Sequence, residues 1–228
     1  MKLPNPAVIA LVLAFILLSA LFMAFPSIDL AVTGYFWRPD AGFFLGDWPP
    51  FVWLYVLFAK SSAPLAIGLL LYWATSKFVG SFMGWPATHW MRRYQQQALF
   101  MLLVFIIGTL LVEVVLKLGW GRARPRDIVA FGGDLQFTAA WIFSDQCHSN
   151  CSFMSGHASF GYYFMVLAWL KRSWLWLAPG IILGLLLGLT RIAQGGHFAS
   201  DVLLPFFVVM GVSLWTSQWV LTRNARVV

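Results

Sequence analysis

The chain is built from long apolar stretches separated by short polar ones, and the length of those stretches decides the solvent in which it folds. A helix needs about 20 mostly apolar residues to cross the hydrocarbon core of a bilayer. Six segments approach that length, at about 7–25, 51–74, 97–117, 154–170, 174–191 and 201–222. They predict an all-α polytopic membrane protein of six transmembrane helices, with residues 1–228 forming one membrane-embedded domain. The composition agrees: only 10% of the residues are charged, against about a quarter in a soluble domain. The first stretch is too long for the core of a secretory signal, and no small-x-small cleavage site precedes Pro26, so it reads as a retained span.

The formal charge of +7 does not point to nucleic acid, because the basic residues sit in short clusters beside apolar runs rather than along one soluble face. They set an orientation instead. With the N-terminus inside, Lys2, Lys77, Arg92, Arg93, Lys171, Arg172, Arg223 and Arg226 all fall on the cytoplasmic side. The other side receives Arg38, Arg122, Arg124 and Arg126, with Lys117 and Arg191 at span ends. The asymmetry predicts that both termini are cytoplasmic. Residues 26–50 mix Ile28, Leu30 and Phe36 with Asp29, Arg38 and Asp47 and read as an interfacial segment. The loop at 75–96 reads as a cytoplasmic surface anchor through His89, Trp90, Arg92 and Arg93.

Two ionisable residues interrupt the spans. Glu113 precedes Lys117 by one helical turn and reads as its counter-charge. Lys60, beside Ser61, Ser62 and Pro64, reads as a snorkelling or inwardly hydrogen-bonded side chain.

Three segments at the outward ends of spans supply groups that suit one another. Lys117 and Arg124 are separated by six residues and closed by Pro125; Ser155, Gly156 and His157 open the fourth span. Arg191 is followed six residues later by His197 and four after that by Asp201. Each piece alone has an ordinary reading: a solvated basic loop, a good helix N-cap, a structural His–Asp pair. Together they match the needs of phosphoryl transfer, which are cations for the equatorial oxygens, a positioned nucleophile and an acid for the leaving oxygen. Ser155 and Gly156 would present helix N-terminal amides to an anion. Arg grips two phosphate oxygens with its planar fork and Lys adds a point charge. No carboxylate cluster is left to hold Mg²⁺, so a histidine-dependent mechanism without metal or other cofactor is expected.

These three segments resemble the signature of the type 2 phosphatidic acid phosphatase superfamily, K-x6-R-P, P-S-G-H and S-R-x5-H-x3-D, with both internal spacings kept. The resemblance implies a six-helix core. It implies that Lys117, Arg124 and Arg191 bind phosphate with help from Ser155 and Gly156. It also implies that His197 forms a phosphohistidine, that Asp201 orients it, and that His157 protonates the leaving group and then activates water. Met154 stands where Pro is usual and Thr190 where Ser is usual, which bears on loop shape rather than on catalytic atoms.

Cys147 and Cys151 are expected to form a disulfide ahead of Ser155, since a non-cytoplasmic compartment permits one; a free thiol pair or a metal site with His148 are the alternatives. The long loop 118–153 is expected to meet a large headgroup through Arg122 and Arg126. Its run from Gly121 to Gly133, with Cys151 to Gly156, looks like the bacterial branch that dephosphorylates lipid A. That likeness implies an inner-membrane protein whose site faces the periplasm and whose partners are the bilayer and a lipid phosphate, with no obligate protein partner evident. Phosphatidylglycerol phosphate, undecaprenyl pyrophosphate and phosphatidic acid stay open as substrates, as does phosphotransfer to a second lipid. A non-enzymatic lipid-binding or transport protein would need the cations but has no use for His157 or the His197–Asp201 pair.

Overall fold

The computed structural model describes residues 4–82 and 89–221, with the side chains of 79–92 set aside. The chain is mainly helical. α1 (Asn5–Ala24) is apolar on every face and buries only Phe22, as expected of a helix bathed in lipid. Pro26 stops it, and the short α2 (Ser27–Gly34) follows, leading into a two-residue hairpin of β1 (Trp37–Arg38) and β2 (Gly42–Phe43). α3 (Pro49–Phe82) and α4 (His89–Thr109) come next. α4 passes into a π-helical segment, Leu110–Leu116, and then into α5 (Lys117–Trp120). Gly121 closes α5 in the left-handed conformation at φ 58°, where a Cβ would also run into the Ser144 carbonyl.

α6 (Gly156–Tyr163), a 3₁₀ turn at Phe164–Val166 and α7 (Leu167–Lys171) form one broken helical stretch. A 3₁₀ turn at Trp174–Leu177 leads into α8 (Ala178–Ala193), and α9 (Ala199–Leu203) leads through Leu204 into α10 (Pro205–Val220). α8 is the centre of the packing. Gly180, Gly184 and Gly188 recur every fourth residue, so one face of α8 is bare backbone. A Cβ at Gly184 would strike the Tyr162 ring, one at Gly188 would strike Val202, and one at Gly161 would strike the Gly184 backbone. Close backbone approach through small residues is the usual way to hold helices together where lipid is as apolar as the side chains.

Among the described residues, five helices are long and apolar enough to cross a membrane: Asn5–Ala24, Pro49–Phe78, Arg93–Asp127, Trp174–Ala193 and Ala199–Val220. Where a fourth span was expected, the chain forms the broken stretch Gly156–Lys171, which is not among these five and falls short of the roughly 20 residues a perpendicular span requires. α3 and α4 reach into the expected 75–96 loop, shortening it. Lys2, Arg223 and Arg226, which entered the orientation argument, lie outside the described residues, as do the side chains of His89, Trp90 and Arg92. Lys60 is solvent- or lipid-exposed on α3.

Candidate functional site

The three sequence segments meet at one end of the bundle because backbone bonds tie their loops together. The Ser152 amide donates to the Arg122 carbonyl, the Ser155 amide to the Asp201 carbonyl, and the Arg126 amide to the Gly195 carbonyl. The end of α5, the start of α6, the end of α8 and the start of α9 therefore share one locus.

His197 is fully buried, and its Nδ1 lies 2.6 Å from the Ser152 carbonyl oxygen. A carbonyl can only accept, so Nδ1 carries the proton and Nε2 of the neutral ring keeps a lone pair. Burial, joined by the nearby Arg191 and Lys117 charges and opposed by Asp201, pushes the imidazole down to about 3, so the ring is neutral at ordinary pH. Asp201 was expected to hold this ring directly. Its Oδ2 is 3.9 Å from Nδ1, beyond a hydrogen bond. That oxygen instead accepts from Ser152 Oγ at 2.5 Å and from the Phe198 amide at 2.8 Å. Asp201 thus shapes the Ser152 loop that in turn touches the imidazole.

Arg122 departs most from expectation. Far from reaching a headgroup, it is almost wholly buried. Nη1 donates to Asp201 Oδ1 at 2.6 Å and to Ser200 Oγ at 2.8 Å, Nη2 to Asp29 Oδ2 at 2.8 Å, and Nε to the Thr138 carbonyl at 2.8 Å. The guanidinium also stacks over Phe198 at 4.2 Å. A charge placed there needs partners on every side, because an unpaired one would be very costly. Asp29 is one of them. The sequence reading put it on a polar interfacial face, yet α2 packs against α9 and buries it completely, accepting from the Ser200 amide and hydroxyl as well. Burial pushes the Asp29 carboxyl up from its ordinary value against the opposing pull of Arg122.

Of the remaining cations, Lys117, Arg124 and Arg191 are buried and Arg126 is half-exposed. Lys117 pairs with Glu113 at 2.9 Å, as the spacing predicted. Arg124 is held by the carbonyl and side-chain oxygens of Asn150. Arg191 donates to Gln194 at 2.5 Å, while its buried Nε has no hydrogen-bond partner among the described residues. A side chain at Gly196 would collide with that guanidinium. Arg126 is half-exposed, 3.8 Å from Asp127. Lys117 and Arg191 lie close enough to act electrostatically on both His157 and His197.

Ser155 caps α6, its Oγ accepting from the Ala158 amide at 3.4 Å. Its own amide serves Asp201, so the N–H groups left pointing out of α6 are those of Gly156 and His157. Buried His157 Nε2 has no hydrogen-bond partner among the described residues. A cavity of about 270 Å³, walled by Phe58, Val112, Phe105 and Phe160, runs between α3, α4 and α6 up to Glu113, Gly156 and His157. Cys147 and Cys151 are joined by a disulfide in the loop ahead of Ser155. No group of three or more His, Cys, Asp or Glu side chains among the described residues is placed to hold a metal ion. Asp29, Ser152, Asn150 and Gln194 escaped the sequence reading; only Asp29, a lone acid in an apolar stretch, carried any signal there.

The sequence profile of the PAP2 superfamily matches residues 97–225. A lipid A 4'-phosphatase of Francisella tularensis subsp. novicida (strain U112) is 33% identical over 205 residues, covering 87% of this chain and 86% of the relative. Proteins of the same description from Rhizobium leguminosarum and Rhizobium etli are 33% and 31% identical, covering 82% of this chain and 84% and 77% of their own lengths. No solved structure matches.

Proposed function

The chain belongs to the PAP2 superfamily of phosphatases, and from that premise we propose that it hydrolyses a phosphomonoester of lipid A, at the 4'-phosphate, without a metal ion. The observation that carries the reading is the gathering of Lys117, Arg124, Arg191, His157 and His197 at one end of the bundle, with an apolar cavity reaching His157. The names of the relatives support lipid A, and the cavity reaching His157 suits a substrate with hydrocarbon chains.

In this reading Lys117, Arg124 and Arg191 neutralise the phosphoryl oxygens, with the Gly156 and His157 amides completing the cradle. The Nε2 lone pair of His197 forms a P–N bond as the P–O bond to the sugar breaks, and the leaving oxygen takes a proton from His157. Water then attacks phosphorus, gives its proton to His157, and breaks the P–N bond to release phosphate. The Ser152 carbonyl keeps Nδ1 protonated throughout, so the imidazole presents the correct nitrogen. Arg126, half-exposed and near Arg124, is the residue that meets the headgroup in this reading. The broken stretch Gly156–Lys171 serves as a sixth, shorter span, both termini are cytoplasmic, and the site faces the periplasm.

Phosphate release from lipid A, phosphatidylglycerol phosphate, undecaprenyl pyrophosphate and phosphatidic acid by purified protein tests the assignment. Lipid A should be turned over fastest, and His197→Ala should lose at least ~10³-fold in kcat. Full turnover by His197→Ala would refute the nucleophile. Release from none of the four lipids would refute the phosphatase reading in favour of a lipid-binding protein.

A further inference from the structure

Tyr55 projects from α3, outside the segment 97–225 that carries the superfamily profile, yet its ring touches two of the groups assigned to chemistry. It stacks on the His157 imidazole with centroids 4.7 Å apart and planes 21° apart. The Arg191 guanidinium carbon lies 4.6 Å from the same ring's centroid. We propose that Tyr55 is a positioning residue that sets the plane of the His157 ring and the angle of the Arg191 fork relative to one another. The inference rests on the roles proposed above for His157 and Arg191.

The need for such a residue follows from what hydrogen bonds leave undone. His157 Nε2 and Arg191 Nε, both buried, have no hydrogen-bond partner among the described residues, and the hydrogen bonding that reaches the His157 ring comes from the Tyr55 backbone. Arg191 is held at Nη1 by Gln194, and one bond at the tip of a guanidinium does not fix its plane. His157 is the second residue of α6, where the backbone directs the side chain outward but leaves χ2 broad. A flat aromatic ring in contact with both supplies the missing restraint. It holds the guanidinium by its ring quadrupole and the imidazole by stacking, and it takes up no hydrogen-bond donor that phosphate or the leaving oxygen needs. The ring's quadrupole also favours the imidazolium that His157 must become to act as an acid. Proton delivery depends on aim, and a displacement of about 1 Å costs on the order of 100-fold.

The test uses the full-length protein in detergent with two substrates, bisphosphorylated lipid A and p-nitrophenyl phosphate. Sugar alkoxide needs a proton to leave, whereas p-nitrophenolate does not. Tyr55→Phe, which keeps the ring, should stay within about 2-fold of wild type on both substrates. Tyr55→Leu should lose about 10- to 100-fold in kcat on lipid A and several-fold less on the aryl ester. Should Tyr55→Leu not purify as a monodisperse protein, Tyr55→Met carries the same comparison. Three results would overturn the proposal: Tyr55→Leu matching wild type, Tyr55→Phe falling as far as Tyr55→Leu, or equal losses on the two substrates. His157→Ala separates this from the underlying reading. If that variant shows no greater loss on lipid A than on the aryl ester, His157 is not the acid, whatever Tyr55 does.

Discussion

Replacing Asp29 by Ala should destabilise the protein severely although it lies 171 residues from its partner Ser200. The carboxylate accepts three bonds in a fully buried place: from Arg122 Nη2 at 2.8 Å, the Ser200 amide at 2.8 Å and Ser200 Oγ at 2.6 Å. Removing one partner of a buried ion pair costs about 3–5 kcal/mol, chiefly because the other charge is left uncompensated. Arg122 keeps Asp201, 2.6 Å away, which moves the expectation toward the lower end. The orphaned Ser200 amide, at about 1–3 kcal/mol for an unsatisfied buried donor, moves it back up. A net loss of about 4 kcal/mol corresponds to a melting temperature roughly 8–16 °C lower for a chain of this size. Asp29→Asn keeps the shape but turns an amide toward the Ser200 donor, and should cost about half as much. Tryptophan fluorescence melting in detergent reads both. The double variant with Arg122→Met should lose at least about 2 kcal/mol less than the sum of the single losses, as residues in one network do. An Asp29→Ala protein melting within about 1 °C of wild type, or strictly additive losses, would show that α2 is not clamped to α9 by this charge, and the reasoning from burial would fail.

Further outcomes follow from the same geometry. Because the folded protein holds His197 at about 3 while the unfolded chain titrates near the ordinary value of 6.5, only the unfolded state gains that proton as pH falls between them. The contribution of His197 to stability is therefore full above pH ~6.5 and is lost progressively toward pH 3, so melting temperature against pH should be flatter for His197→Gln than for wild type in that window. Parallel curves would contradict the burial-driven shift. Ser152→Ala keeps the carbonyl that holds His197 but removes the bond to Asp201, and should lower stability by about 1.5–3 kcal/mol with a smaller loss of turnover than His197→Ala, measured by melting and phosphate release. Cys147→Ser should cost about 2 kcal/mol, since the bridge closes a loop of only a few residues; no change in melting would show that the bridge restrains nothing. Chelation by EDTA should leave lipid A turnover intact, and a metal-restored loss of activity would sink the metal-free mechanism.

The apolar stretches, the Glu113–Lys117 pair and the three signature segments were legible because each is local. Span length follows from bilayer thickness, a helical pair from a spacing of four, and a motif from residues a few positions apart. What failed to show was every relation between distant segments. Arg122 looked like its neighbours Arg124 and Arg126, three arginines in one loop, and only its pairing with Asp29 of α2 and Asp201 of α9 sets it apart as a buried strut. Tyr55 was one more aromatic in an apolar helix until α3 packed beside α6 and α8. The stretch expected as a fourth span showed its apolarity but not its breakage, because a 3₁₀ turn is set by packing against α8 rather than by hydropathy.

The sequence by itself therefore determined the solvent, the helical class and the chemical inventory of the site, since hydropathy and residue type are properties of the chain. Tertiary structure alone decided which charged groups are tied up in buried pairs. Buried charges must be satisfied wherever the fold finds partners, and here it drew Asp29 from the chain's first 30 residues to hold Arg122 and Ser200 behind His197.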